Sequence, residues 1–328
     1  MKMRRRDFLK AAASGSLLLA CAPRAALARS LRKDLPPKAV GILYDATLCV
    51  GCQACMVACK QANEMEVEPG QGEPLWDAPR DLSARTLNII KRYENGDGAV
   101  KDRAENGYSF VKRHCMHCLD PACVSACPVS ALTKDPASGI VGYNEKACIG
   151  CRYCQVACPY NIPKFQWDSN TPKIVKCQLC SHLVAKGGIS ACCKVCPTGA
   201  SLFGPVEGLL AEAKRRLHME EGKSYDFPVA SLASGQVQSH RAGRYLEHIY
   251  GENEAGGSQV LLLSGVPFTS LGLPELPEQS FVEVADGIQY AIYKGMVYPL
   301  VLLGGLIYII RKRVSTTGPA QSGGEEEV

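Results

Sequence analysis

The chain has 328 residues, 46% hydrophobic and 21% charged, a composition that excludes disorder and leaves length for one to three domains. The formal net charge is +5, but residues 1–28 hold six basic side chains against one acid, and the remainder carries 31 of each sign. With that segment set apart, the case for a nucleic-acid partner falls away.

Residues 1–28 read as a leader. Arg4-Arg5-Arg6 opens a charged region, Ala11–Ala22 is short and uncharged, and Ala26-Leu27-Ala28 offers a small-x-small cleavage site. Arg5-Arg6 followed by Phe8-Leu9-Lys10 matches a twin-arginine signal, which exports folded proteins, rather than a general secretory signal with a basic start. Cys21 is an alternative lipidation site, weaker than the ordinary cleavage site after Ala28.

The outlier is cysteine. Of 18 in the chain, 17 lie between Cys49 and Cys196, far more than an aliphatic core uses. They sort into four sets: Cys49, Cys52, Cys55, Cys59; Cys115, Cys118, Cys123, Cys127; Cys148, Cys151, Cys154, Cys158; and Cys177, Cys180, Cys192, Cys196. Each set opens with C-x-x-C and closes with C-x-x-x-C, and proline follows three of them (Pro128, Pro159, Pro197), with Lys60 in that place after the first. The frame matches the bacterial ferredoxin run, in which three closely spaced thiolates grip one cubane and the fourth reaches a neighbouring cluster. Sixteen thiolates therefore point to four [4Fe–4S] clusters. A structural zinc site has no use for the third close cysteine. A disulfide framework has no reason to repeat the frame with a trailing proline. Cys193 competes with Cys192, and the C-x-x-x-C spacing to Cys196 selects Cys192.

Short apolar segments around the sets predict strands: Gly41–Tyr44, Tyr108–Val111, Ile140–Tyr143 and Lys173–Val175 leading in, Ala131-Leu132 and Ala200–Phe203 leading out. Short helices are expected after the last cysteine of each set. The fold class is α+β: tandem nested ferredoxin-like modules with insertions, one module using the second and third sets, the other the first and fourth, plus a single C-terminal transmembrane helix. The cluster domain covers 41–218, with an insertion at 60–107 expected to form a surface lobe. Val206–Leu217 predicts an amphipathic helix with Val206, Leu209, Leu210, Ala213 and Leu217 on the packed face and Lys214, Arg215 and Arg216 elsewhere. Residues 219–286 read as an extended strap with one strand candidate, Gln259–Leu263. Residues 288–310 are interrupted only by Lys294 and are long enough to cross a bilayer. Arg311-Lys312-Arg313 then places the tail, 311–328, in the cytoplasm and the bulk outside. His114 and His117 beside the second set are either hydrogen-bond donors to a cluster or, as is commoner, surface neighbours. No G-x-S-x-G, P-loop or G-x-G-x-x-G occurs, so no catalytic residue is assigned.

The four sets, with Thr47-Leu48-Cys49-Val50-Gly51-Cys52 and Gly150-Cys151-Arg152-Tyr153-Cys154, resemble the four-cluster electron-transfer subunits of formate dehydrogenases, molybdopterin reductases and hydrogenases. Glu105–Tyr108, Gln259–Phe268 and Tyr293–Met296 extend the likeness, most of all to the hydrogenase-2 type, which also has a twin-arginine leader and a C-terminal anchor. The resemblance implies how ligands are shared: Cys49, Cys52, Cys55 and Cys196 for cluster one; Cys59, Cys177, Cys180 and Cys192 for cluster two; Cys115, Cys118, Cys123 and Cys158 for cluster three; Cys127, Cys148, Cys151 and Cys154 for cluster four. It also implies a non-catalytic relay on the periplasmic side of the bacterial inner membrane. Its partners would be the large and small subunits of a [NiFe] hydrogenase, the lipid bilayer, and an integral membrane quinone-reactive subunit. The runner-up is the equivalent subunit of a periplasm-facing formate dehydrogenase. A catalytic iron–sulfur enzyme would need an iron with an open site, and a bare structural anchor would not need sixteen redox ligands.

Overall fold

The computed structural model describes residues 33–66 and 79–316. The leader and Cys21, part of the insertion, and the end of the tail lie outside them. In chain order, β1 (Val40–Asp45) leads to helix α1 (Ala54–Ala62), and β2 (Ile89–Glu94), β3 (Val100–Lys101) and β4 (Gly107–Arg113) form a sheet of order β2-β4-β3. Helix α2 (Ala122–Ser125) precedes the hairpin β5 (Leu132–Lys134) and β6 (Val141–Tyr143); α3 (Tyr153–Ala157) precedes β7 (Lys164–Phe165) and β8 (Ile174–Val175). Then come α4 (Ser181–Val184), α5 (Ala191–Lys194), β9 (Ser201–Pro205) and α6 (Val206–Leu217). The hairpin β10 (Ser224–Pro228) and β11 (Val237–Arg241), strand β12 (Val260–Leu263) and the long helix α7 (Phe281–Thr316) complete the order.

The expected strands form, but the short helices fall inside the cysteine sets instead of after them. The third and fourth cysteines of each set are four residues apart, about one helical turn. Hence α1 carries Cys55 and Cys59, and α2, α3 and α5 carry Cys123, Cys154 and Cys192.

A three-stranded sheet of order β12-β1-β9 roofs the cysteine-rich core, with β1 parallel to β12 and antiparallel to β9. Successive side chains of a strand face opposite sides. Ile42, Tyr44, Phe203, Val260 and Leu262 accordingly join the core that contains Cys49, Cys55 and Cys192. Leu43, Leu202, Leu261 and Leu263 face the other way, onto Leu209 and Ala213 of α6. Residues 219–286 are therefore not only an extended strap. Their Val-Leu-Leu-Leu run is buried on both faces as the outer partner of β1, and β10 and β11 form a hairpin ahead of it. The insertion also departs from a surface lobe: it contains β2, whose Ile89 and Ile90 are core residues.

Helix α6 departs from expectation at Arg216, which is fully buried. Its guanidinium donates to Asp45 Oδ2 and Glu212 Oε1, both at 2.8 Å, and lies 5.0 Å from the Phe227 ring. Asp45 also accepts from Tyr245 and Thr47, so a single ionic knot ties α6 to β1 and to the loop that begins the first cysteine set.

Helix α7 has 36 residues, about 54 Å at ~1.5 Å each. Phe281–Val314 is long and apolar enough to cross a membrane by length and composition, and is not buried against the rest of the protein. Its start is built: the Ser280 hydroxyl accepts from the Val282 amide, an N-cap, and donates to Asp120 at 2.6 Å, while Lys33 pairs with Asp120 and Glu283.

Replacing Arg216 by Met strands the buried Asp45 carboxylate. The expected loss is about 3–5 kcal/mol, read as a lower thermal midpoint of the full chain in detergent. Adding Asp45→Asn and Glu212→Gln should recover much of it. A single variant as stable as the parent would show that the knot contributes nothing.

Candidate functional site

Each C-x-x-C loop closes by the same backbone device. The residue before its second cysteine is left-handed in all four: Gly51 (φ 70°), His117 (48°), Gly150 (71°) and Leu179 (53°). That turn aims an amide at the first sulfur of the loop: the Gly150 N–H donates to Cys148 Sγ and the Leu179 N–H to Cys177 Sγ, each at 3.4 Å, and Gly51 does the same for Cys49. The last cysteines receive amides too, Cys127 from Ala131 at 3.2 Å and Cys196 from Ser201 at 3.4 Å. Glycine signals two of these turns in the sequence; at His117 and Leu179 nothing does, because those side chains adopt the left-handed form at a cost of about 1–2 kcal/mol.

All seventeen described cysteines are free thiols. Cys49, Cys52, Cys55 and Cys196 line a cavity with Tyr44 and Ile90. Cys127, Cys148, Cys151 and Cys154 line another with Tyr143, Ile149 and Ile174. Cys59 lies within electrostatic reach of Cys192 and Cys180, and Cys177 within reach of Cys59, Cys115 and Cys192. Cys118 is similarly close to Cys115, Cys158 and Cys123. Cys52 and Cys151 are exposed. Cys193 is fully buried against Cys192, which is the one that faces Cys59.

The donor set suits a polynuclear iron–sulfur group: all-sulfur, around a space rather than a point. A zinc ion would draw its ligands to ~2.3 Å from one centre, and among the described residues no three Cys, His, Asp or Glu side chains converge for a single ion. Burial pushes Cys55, Cys59 and Cys123 up to about 12 and Cys154 to about 11, so these thiols hold their protons at neutral pH until a metal displaces them.

Three lysines supply positive charge at this core. Lys112 is buried and donates to Ser201 Oγ at 3.2 Å; burial alone would lower its pKa, but Cys192, Cys55 and Cys193 raise it well above the ordinary lysine value. Lys176 is buried and donates to the carbonyls of Val141 and Cys177. Lys134 donates to the Cys118 carbonyl at 2.7 Å, and burial lowers it to about 8. Sequence reasoning missed all three. For two of them the available signal was a lysine directly after an apolar pair and just ahead of a first cysteine, Phe110-Val111-Lys112 before Cys115 and Ile174-Val175-Lys176 before Cys177; Lys134 carries no such signal.

The histidines of the second set are buried, not surface neighbours. His114 Nδ1 lies 2.9 Å from the Cys115 carbonyl, and burial with the nearby Lys112 lowers it to about 3. His117 Nδ1 accepts from the Val141 amide at 3.0 Å, which puts the ring proton on Nε2; burial keeps the ring neutral. That Nε2 has no partner among the described residues, leaving a buried donor beside Cys115 and Cys118 that an anionic group there would satisfy. Lys60, where the repeat elsewhere has proline, lets α1 continue to Ala62 and donates to the carbonyls of Glu66 and Arg85 at 3.0 and 2.9 Å.

Comparison with known proteins agrees with this chemistry. Two family models described as 4Fe-4S dicluster domains match, one over residues 41–128 and the other over 107–206. The chain is 46% identical to the hydrogenase-2 operon protein HybA of Escherichia coli O157:H7, over 99% of both chains. It is 32% identical to the formate dehydrogenase-O iron-sulfur subunit of Escherichia coli K12, over 81% of this chain and 78% of that one. The nitrate-inducible formate dehydrogenase iron-sulfur subunit of the same strain is 31% identical over 81% of this chain. A repeated cysteine frame, an all-sulfur donor set and full-length similarity converge on one conclusion: the chain belongs to the 4Fe-4S dicluster family that includes the hydrogenase-2 operon protein HybA.

Proposed function

We propose that the chain is an electron relay with no chemistry of its own, holding four [4Fe–4S] clusters in two nested ferredoxin-like modules. The observation that supports the reading is the pair of cavities each lined by four cysteines, with the remaining cysteines of the repeated frame close to one another between them. Cluster one takes Cys49, Cys52, Cys55 and Cys196; cluster two takes Cys59, Cys177, Cys180 and Cys192. Cluster three takes Cys115, Cys118, Cys123 and Cys158; cluster four takes Cys127, Cys148, Cys151 and Cys154. When bound, each cluster supplies uptake and release of one electron at a time.

The rest is the work of the chain. Its thiolates hold the groups in fixed positions, its amides and lysines offset their negative charge, and its apolar core keeps water away. The two end groups approach the surface at Cys52 and Cys151, where Val50, Ile149 and Val156 are exposed, and these rims suit docking of redox partners. Electrons from H2 oxidation by a [NiFe] hydrogenase enter at one rim and leave at the other, toward an integral membrane partner that reduces quinone. Residues 1–28 direct export by the twin-arginine route, α7 anchors the domain on the periplasmic face, and Arg311-Lys312-Arg313 hold the tail in the cytoplasm.

Iron and sulfide counted on anaerobically purified chain should approach sixteen of each, as four cubanes require; about eight irons, or stoichiometric zinc, overturns the cluster count. Gly51→Ala adds a Cβ that overlaps the Phe110 ring at a left-handed position, whereas at Gly150 the nearest ring atom stays 3.5 Å away. Gly51→Ala should therefore lose the four irons of cluster one, and Gly150→Ala should keep its iron and lose about 1–2 kcal/mol of stability. Deleting the gene should leave H2-to-dye activity in membranes intact and abolish H2-to-quinone electron transfer, provided the hydrogenase subunits remain. Unchanged quinone reduction refutes the hydrogenase relay, and loss of formate-dependent respiration in its place assigns the chain to a formate dehydrogenase.

A further inference from the structure

The first and third cysteine sets share a feature outside the cysteine frame. A tyrosine stands five residues ahead of the first cysteine in each, Tyr44 before Cys49 and Tyr143 before Cys148; in the second and fourth sets that position holds Phe110 and Pro172. Both tyrosines line the cavity of their own group, and each phenol lies within hydrogen-bonding reach of its first cysteine.

The two phenols differ in their second partner. Tyr44 Oη donates to the Phe110 carbonyl at 2.9 Å. A phenol has one proton, so a carbonyl takes the proton that the sulfur of Cys49 would otherwise receive. Tyr143 Oη instead accepts from the Ile174 amide at 3.2 Å. That bond uses a lone pair and leaves the phenolic proton free for Cys148, which also receives the Gly150 amide. Nearly the same backbone position thus places a committed phenol at one end of the relay and a free donor at the other.

We propose that Tyr143 is a positioning residue for cluster four, donating a hydrogen bond from its phenol to the Cys148 thiolate and raising that cluster's reduction potential. This rests on the cluster assignment above. Reduction adds one electron, hence one negative charge, to the group that the thiolate holds, and a donor at the sulfur favours the more negative state. No covalent bond breaks and the phenol keeps its proton. At Tyr44 the donor is spent on a carbonyl, so cluster one lacks the effect. The effect falls on the group beside exposed Ile149 and Val156.

The test is a redox titration, followed by electron paramagnetic resonance, of the full chain in its detergent-solubilised membrane complex. The cluster-four signal is the one that Cys151→Ser abolishes or alters. In Tyr143→Phe, the reduced-to-oxidised ratio of that cluster at a fixed potential should fall about three- to tenfold, the range of one hydrogen bond; tenfold corresponds to 59 mV for one electron. Tyr44→Phe should change the cluster-one ratio less than about twofold. An unmoved cluster-four potential at full iron content overturns the proposal, as does an equal shift at cluster one. If Tyr143→Phe loses iron, 3-fluorotyrosine installed at position 143 keeps the ring and strengthens the donor; the ratio must then rise, and no change or a fall is a refutation. Parent protein with full iron outside cluster four but no cluster-four signal would instead defeat the assignment on which the proposal stands.

Discussion

The structure depends on burying negative charge. Most of the cysteines of the repeated frame lie buried or half-buried, where an uncompensated thiolate costs several kcal/mol. Burial raises Cys55, Cys59 and Cys123 to about 12, which measures how strongly the bare core rejects the thiolate. The fold answers with positive ends of dipoles and with ammonium groups. Left-handed turns at Gly51, Gly150 and Leu179 aim amides at sulfur. Lys112 lies within electrostatic reach of Cys55 and Cys192, from the first and fourth cysteine sets, and so offsets charge at both with one ammonium. Its carbon stem meanwhile fills apolar space.

The cysteine frame was legible because cluster geometry is local: three thiolates around a cubane require close spacing, and the spacing survives in the sequence whatever surrounds it. The strands were legible for the same reason, since Gly41–Tyr44 or Tyr108–Val111 announce themselves by composition. What escaped detection depends on contacts between distant segments. Gln259 joins segments far apart in sequence, its side-chain amide donating to the carbonyls of Val40 and Ser138 and its backbone N–H to that of His117. No window around residue 259 contains those partners. Arg216 stands where a helical wheel predicts a solvated cation, and only the arrival of Asp45 and Phe227 from elsewhere makes burial favourable.

The anchor helix is joined to the cysteine core, not appended to it. Ser280 caps α7 and bonds Asp120, three residues before Cys123, and Lys33 bridges Asp120 to Glu283. The first turn of α7 thereby shares a hydrogen-bond network with the loop between Cys118 and Cys123. A helix that only tethered would need no such register. This one holds the loop between Cys118 and Cys123 at a set place relative to the first turn of the helix.

Lys60 shows how a departure from a repeat can be compensated within the same chain. Proline after the last cysteine ends the helix in the other sets, because it cannot continue the backbone hydrogen bonding. Lysine there lets α1 run to Ala62, and its buried ammonium then binds the carbonyls of Glu66 and Arg85, on either side of the insertion's middle segment. The insertion in turn supplies β2, whose Ile90 lines the cavity of the first cysteine group. The substitution and the insertion therefore belong together. Proline at position 60 would remove the clasp that holds the two ends of the insertion, and without the insertion a buried lysine at that position would lose its carbonyl partners.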